Sequence, residues 1–333
     1  MVDEEFLKLY ECISKCEHLE DKNMNYKKNK SIIHTCRFCL KSEPEVEFKE
    51  VTHIISESIG NKKLFSENEC DQCNRAFGST YEDSFGKYIL PFKFTSQIYG
   101  KKNTNKYKDE HQRIEMKKNE SPLAEISDSL KAFILEDSDN KSMQFTDDGF
   151  IITFKRQKYN SYYVYKALEK MAFSVMPSEE LKDCIKSYSA MICAIDSNIP
   201  KEEKDNILKN SVNKGYLEFA PGLNPFNGIG FELFKRKEID SAKGYTKYLF
   251  KLYFKNFSLQ IPIPEDEEKD GRRLLFKPNK SFDNSSLKML DFSIMEPTFT
   301  CEFSAEKFEL NKLDKDYLEE ILIKKGLIKK DNN

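Results

Sequence analysis

The sequence predicts an α+β protein, a small metal-pinned unit ahead of a larger mixed α+β region. Three observations carry that expectation. Two C-x-x-C pairs, Cys36/Cys39 and Cys70/Cys73, are separated by thirty residues. Val164, Leu168, Met171, Ala172 and Val175 recur at helical spacing, and Phe250, Leu252 and Phe254 alternate with Lys251, Tyr253 and Lys255 as in a half-buried strand. At 333 residues, 39% of them apolar, the chain can bury a sizeable core and exceeds a typical single domain. No window approaches the roughly eighteen unbroken apolar residues of a membrane span, and the acidic, interrupted start is unlike a signal peptide. The expectation is a cytoplasmic protein with no membrane partner.

Taken in order, Phe6, Leu9, Tyr10 and Ile13 predict an amphipathic helix within residues 3–20, and the polar, Lys/Asn-rich stretch 21–30 reads as a linker. The unit holding the Cys pairs spans 31–98, with a β-like run from Phe48 to Ile55 and a helix from about Gln72 to Tyr88. Residues 99–118 form a basic linker or arm. The remainder, 119–333, is the larger α+β region. Its first helix stops at Pro177, Ser178 caps a second helix carrying Leu181, Ile185 and Tyr188, and Ile229, Phe231 and Leu233 mark another strand. Glu265 to Asp270 reads as an acidic surface loop, and a last helix near Tyr317 to Lys325 ends at Gly326.

The net charge of −2 discourages a polyanion partner until its distribution is considered. Residues 1–20 carry two basic and six acidic groups, 21–118 carry nineteen and fourteen, and 119–333 carry thirty-three and thirty-six. Only the middle block attracts phosphate. Lys62 and Lys63 beside the Cys pairs, and Lys101, Lys102, Lys106 and Lys108 in the arm, suit contacts to a nucleic-acid backbone without sequence information. A solvated charged surface is the plain alternative.

The Cys pairs hold the strongest chemical signal. Two-residue spacing lets both thiolates of a pair reach one tetrahedral ion, and two pairs complete a closed structural zinc site. Such a site contributes roughly 10–16 kcal/mol of apparent folding energy, which a small unit needs. Elsewhere, His34 reads as a strand residue and His18 and His111 as surface residues. Cys12 and Cys16 fall one helical turn apart without further ligands, and Cys184, Cys193 and Cys301 read as core.

Between the pairs lies Val51-Thr52-His53-Ile54-Ile55-Ser56-Glu57-Ser58-Ile59-Gly60-Asn61, and Asn74-Arg75-Ala76-Phe77-Gly78 follows the second pair. In this order of elements the sequence resembles the HNH, or ββα-metal, endonucleases, specifically the branch pinned by two CxxC knuckles, over about residues 33 to 90. The resemblance implies a zinc-stabilised ββα-metal nuclease domain acting on DNA. His53 then corresponds to the general base that activates water, and Asn74 to the helix ligand of a catalytic Mg²⁺ or Mn²⁺. It further implies a 5′-phosphate and a 3′-hydroxyl as products. Arg75 is a candidate contact to the scissile phosphate. Two positions depart from the pattern: Thr52 stands where most members place Asp or Glu as a second metal ligand, and Glu57 or a DNA phosphate is the candidate replacement. Ser56 replaces the usual Pro.

Residues 119–333 carry no phosphate-binding loop, dinucleotide fingerprint or further metal cluster. A regulatory, ligand-sensing, targeting or oligomerising role is the expectation, with a regulatory protein, a small-molecule signal or a second copy as partner. By analogy, nucleases of this sort serve in bacterial restriction or anti-phage defence. The alternatives are a zinc-stabilised DNA-binding module without catalysis and a protein-interaction or sensor component.

Overall fold

The structure, a computed structural model, describes residues 2–19, 33–95, 106–108, 115–117, 143–146, 149–220, 225–266, 272–282 and 285–304. The predicted α+β class holds, with the Cys-rich unit near the N-terminus and a larger region of helices and antiparallel sheet after it. The chain begins with helix α1 (Val2–Leu9) and passes directly into strand β1 (Tyr10–Leu19). The single amphipathic helix expected over 3–20 is therefore wrong in its second half. Phe6 and Tyr10 stack at 4.7 Å and pack with Phe234 and Leu249, so sheet pairing overrides the helical period from Tyr10 onward. Cys12 and Cys16 consequently sit on a strand, with a bulge between Cys12 and Ser14, and not one helical turn apart.

The Cys-rich unit contains β2 (Thr52–His53), β3 (Phe65–Ser66) and α2 (Asp71–Phe77). A single wide π turn (Gly78–Glu82) leads from α2 into α3 (Asp83–Tyr88) and α4 (Leu90–Thr95). The strand expected from Phe48 to Ile55 is thus confined to two residues, while the helix expected over 72–88 is present with that interruption. Within the basic arm, β4 (Lys106–Lys108) and β5 (Glu115–Lys117) pair as a short antiparallel ladder. Strands β6 (Met143–Thr146) and β7 (Gly149–Lys155) follow. The predicted linker at 21–30, Lys101, Lys102, His111 and the helix near Tyr317 lie outside the described residues.

Helix α5 (Ser161–Val175) is capped by Asn160, whose side chain accepts from the amides of Tyr162 and Tyr163. Pro177 then precedes α6 (Ser178–Leu181), so Ser178 is the first helical residue and not its cap. Helices α7 (Ile185–Ile195) and α8 (Lys201–Lys209) complete the helical layer. The main sheet adds β8 (Lys214–Phe219), β9 (Phe226–Arg236), β10 (Tyr248–Lys255), β11 (Phe257–Ile263) and β12 (Ser286–Asp291), in the order β1-β9-β10-β11-β8-β12. A smaller sheet joins β6 and β7 to β13 (Thr298–Ser304), where Cys301 lies opposite Ile152.

The half-buried strand expected at 250–254 is buried on both faces. Phe250, Leu252 and Phe254 belong to the main apolar cluster, while Lys251 faces a second layer and bonds the Lys277 carbonyl at 2.6 Å. Alternation of Lys with apolar residues reads as a solvent face unless a distant segment covers it, here residues 272–282. Glu265 departs from the surface-loop expectation too, since it pairs with Arg236, Lys247 and Arg272. Cys184 is buried and Cys193 half-buried. The main apolar cluster runs without a break from Cys36, Phe38 and Phe77 through Leu168, Met171 and Phe173 on α5 to Phe250 and Leu259 in the sheet. Helix α5 thus packs against the Cys-rich unit as well as the sheet.

Candidate active site and metal centre

The first Cys pair occupies a tight turn. The Cys36 amide bonds the Lys41 carbonyl at 2.8 Å, the Leu40 amide bonds the Cys36 carbonyl at 2.9 Å, and Leu40 adopts a left-handed φ of 60°. The second pair opens α2. Cys70 is its cap residue, its amide donates to Cys36 Sγ at 3.4 Å, and Cys73 lies in the first turn. All four sulfur atoms lie within 4.8 Å of one another, which fits a structural zinc held by Cys36, Cys39, Cys70 and Cys73. The hydrogen bond between Cys73 and Cys36 draws the Cys36 thiol well below its ordinary range and pushes Cys73 up, and burial raises Cys70, as expected of sulfurs crowded around one point. His34 stays outside the cluster, buried against Phe48 with ring centroids 5.5 Å apart.

The hairpin between the pairs is shaped by Asn61. Its amide nitrogen donates to the carbonyls of Ile55 and Leu64 at 2.6 and 3.1 Å, and its oxygen accepts from the amides of Lys63 and Leu64. Gly60, at φ 94°, makes the turn that a side chain would strain. Ser56 caps the short 3-10 turn Glu57–Ile59 through its hydroxyl. These bonds bring β2 and β3 into register, with His53 opposite Phe65 and Thr52 opposite Ser66. His53 is half-buried, its ring 5.0 Å from that of Phe65.

Thr52 is fully buried and donates its hydroxyl to the Ser66 carbonyl at 2.7 Å. Neighbouring side chains on a strand point to opposite faces, so Thr52 turns inward where His53 turns outward. Two residues earlier in the chain, Glu50 brings a carboxylate against α2. Glu50 Oε2 accepts from Asn74 Nδ2 at 2.8 Å, and its Oε1 lies 3.2 Å from Arg75 Nη1. The placement of Glu50 comes from Asp71, a buried residue inside the second Cys pair. Asp71 accepts from the backbone amides of Lys49 and Glu50 at 3.1 and 3.0 Å and returns its own amide to the Glu47 carbonyl at 2.9 Å. The zinc-bearing helix therefore grips the strand entry that leads to His53.

Residues 36–90 match the HNH endonuclease family. No curated protein and no solved structure matches the chain. Within the HNH segment the structure brings together the four cysteines, and it sets Asn74 and Arg75 against Glu50. Lys62 is exposed and Lys63 half-buried on the loop after Asn61. Sequence reasoning missed Glu50, which precedes β2 and carries no local signal, and Asp71, although an acidic residue in the first turn of a helix is a standard helix-start signal. It also missed Lys170, which reaches the segment from α5. Its ammonium lies 3.1 Å from the His53 carbonyl, 2.9 Å from Glu69 and 3.3 Å from Glu82. Nothing local in the sequence around Lys170 points there. No helix among the described residues is long and apolar enough to cross a membrane.

Proposed function

We propose that the protein is a metal-dependent DNA endonuclease in which His53 is the general base. The observation that carries this reading is the pairing of an HNH-matched segment with a four-cysteine cluster of zinc geometry, in which His53, Asn74 and a carboxylate sit on elements tied to one another. A neutral imidazole on an outward strand face suits removal of a proton from water. When bound, a divalent ion such as Mg²⁺ or Mn²⁺ would offset the charge developing on the phosphate and on the departing 3′ oxygen. The residues fit such an ion: with Nδ2 engaged by Glu50, Asn74 retains its amide oxygen, and Glu50 adds a charged hard oxygen. Glu50 thereby supplies the carboxylate missing at Thr52, whose hydroxyl is committed to Ser66. Arg75, Lys62, Lys63, Lys101 and Lys102 are the proposed phosphate contacts.

The downstream region is proposed to control or target the nuclease, through a protein, a small molecule or a second copy. Restriction or anti-phage defence is the setting we infer, an analogy supported by the need to restrain such an enzyme in its host. The test is plasmid cleavage by the zinc-loaded protein with Mg²⁺ or Mn²⁺, beside EDTA and His53→Ala controls. Metal-dependent cleavage that is lost in His53→Ala, with about one zinc per chain in both proteins, is the expected result. Zinc at that ratio with no cleavage under either metal would favour the non-catalytic DNA-binding module. Phage plating on cells that express wild type or His53→Ala tests the defence setting, which fails if the two give equal plaques.

A further inference from the structure

The ammonium of Lys170 is buried within the HNH segment, although Lys170 belongs to helix α5, eighty residues past the segment's last matched position. It is 1% exposed and meets three groups from three separate pieces of that segment. These are the backbone carbonyl of His53 on β2, the carboxylate of Glu69 just before the second Cys pair, and the carboxylate of Glu82 on the π turn. Glu69 is wholly buried, and its Oε1 has no hydrogen-bond partner among the described residues. The rings of Phe38 and Phe77 flank the ammonium at 6.0 and 5.8 Å, one from each Cys-bearing element.

Stability alone does not call for this arrangement. A buried ion pair is commonly matched or bettered by apolar residues of the same volume, whereas it fixes geometry well. The same helix offers a direct comparison: Lys166 and Glu169 form a fully buried pair at 2.6 Å, and Lys166 also bonds the Ser211 carbonyl, without touching β2. Lys170 differs in what it holds. A carbonyl held by a charged donor resists rotation of its peptide plane, and that plane adjoins the Cα from which the His53 side chain leaves the strand.

We propose that Lys170 is a positioning residue for His53, so that the downstream region completes the active site of the nuclease. This rests on His53 being the general base. The residue acts through the backbone of β2 and touches no substrate. A displacement of about 1 Å at a catalytic group can lower turnover about a hundredfold, which is the size of effect expected when the anchor is removed.

The experiment uses the full-length, zinc-loaded protein. The double variant Lys170→Met/Glu69→Gln removes the anchor without leaving Glu69 charged and alone, and Lys166→Met/Glu169→Gln removes the comparison pair from the same helix. Two quantities are read on each: kcat and KM for plasmid cleavage, and the imidazole ¹H–¹³C resonances of His53, assigned by a His53→Gln variant. The anchor variant should move the His53 resonances and lower kcat about a hundredfold with KM unchanged, while the comparison variant leaves both as in wild type. Equal effects of the two variants, or wild-type resonances and kcat in the anchor variant, overturn the proposal. Should the anchor variant fail to hold zinc, Lys170→Arg keeps the charge and displaces the donor atom, and it must move the same resonances. A wild-type protein that cuts no DNA would refute the nuclease reading, and the resonances would still decide whether Lys170 positions His53.

Discussion

At the scale of single residues, the proposed metal site turns on which residue supplies its carboxylate oxygen. Glu50 is tied to Asn74 and Arg75, while Thr52 is buried and bonded to a backbone carbonyl. Glu50→Gln is therefore expected to raise the Mg²⁺ concentration for half-maximal cleavage about tenfold, a loss of about 1.4 kcal/mol of binding, while leaving zinc content unchanged. A metal titration of cleavage beside Mn²⁺ binding followed by electron paramagnetic resonance checks it, and an unaltered Mn²⁺ affinity would remove Glu50 from the site. The opposite outcome is expected for Thr52→Asp. Although it restores the residue most family members carry, it forces a carboxylate into a closed pocket and should cost about 3–5 kcal/mol, visible in urea unfolding, with no gain in cleavage. The candidate roles of His53 and Asn74 were legible in the sequence because motif order singles these positions out. Glu50 was not, because its role depends on Asp71 holding the chain 21 residues away in sequence.

At the scale of elements, the two Cys pairs and α2 behave as one clasp. Cys70 and Cys73 begin α2, Asp71 lies between them and fixes residues 49 and 50, and Asn74 and Arg75 complete the contact with Glu50. Removing zinc should release this clasp as a unit. In hydrogen exchange after treatment with a strong chelator, amides of α2, β2 and β3 are expected to lose protection together, and the strands of the main sheet to keep theirs. Retained protection in α2 would show that the apolar contacts of Phe77 suffice without metal. Acidification should act in the same direction. Cysteine thiols must lose their protons to bind the ion, so zinc is expected to be held at neutral pH and released as pH falls, detectable with a chromogenic zinc indicator. The helix over α2 and α3 could be read from its residues, but β1 could not. Its helical period is genuine, and only the pairing of Tyr10 through Leu19 with β9 decides against it.

At the scale of the whole molecule, one apolar cluster joins the HNH segment, α5 and the sheet. A fragment of residues 33–95 with zinc is accordingly expected to lack the cooperative unfolding of the full chain, since it exposes the faces of Phe77, Tyr81 and Phe85 that pack in that cluster. A sharp thermal transition and dispersed amide resonances in the fragment would count against this. The sequence announces the α+β class through local period and spacing, which are properties of neighbours. The embrace of the HNH segment by α5 and α7 depends on pairs such as Tyr81 with the Met191 carbonyl, 110 residues apart, for which no local pattern exists. That separation also has a temporal meaning. A ribosome adds about 5–20 residues per second, so the stretch from the end of the matched segment to the end of α5 takes on the order of ten seconds to synthesise. Throughout that interval the emerging chain has His53 and the four cysteines but lacks Lys170, so on the proposed reading full cutting capacity arrives only with the part of the protein proposed to restrain it.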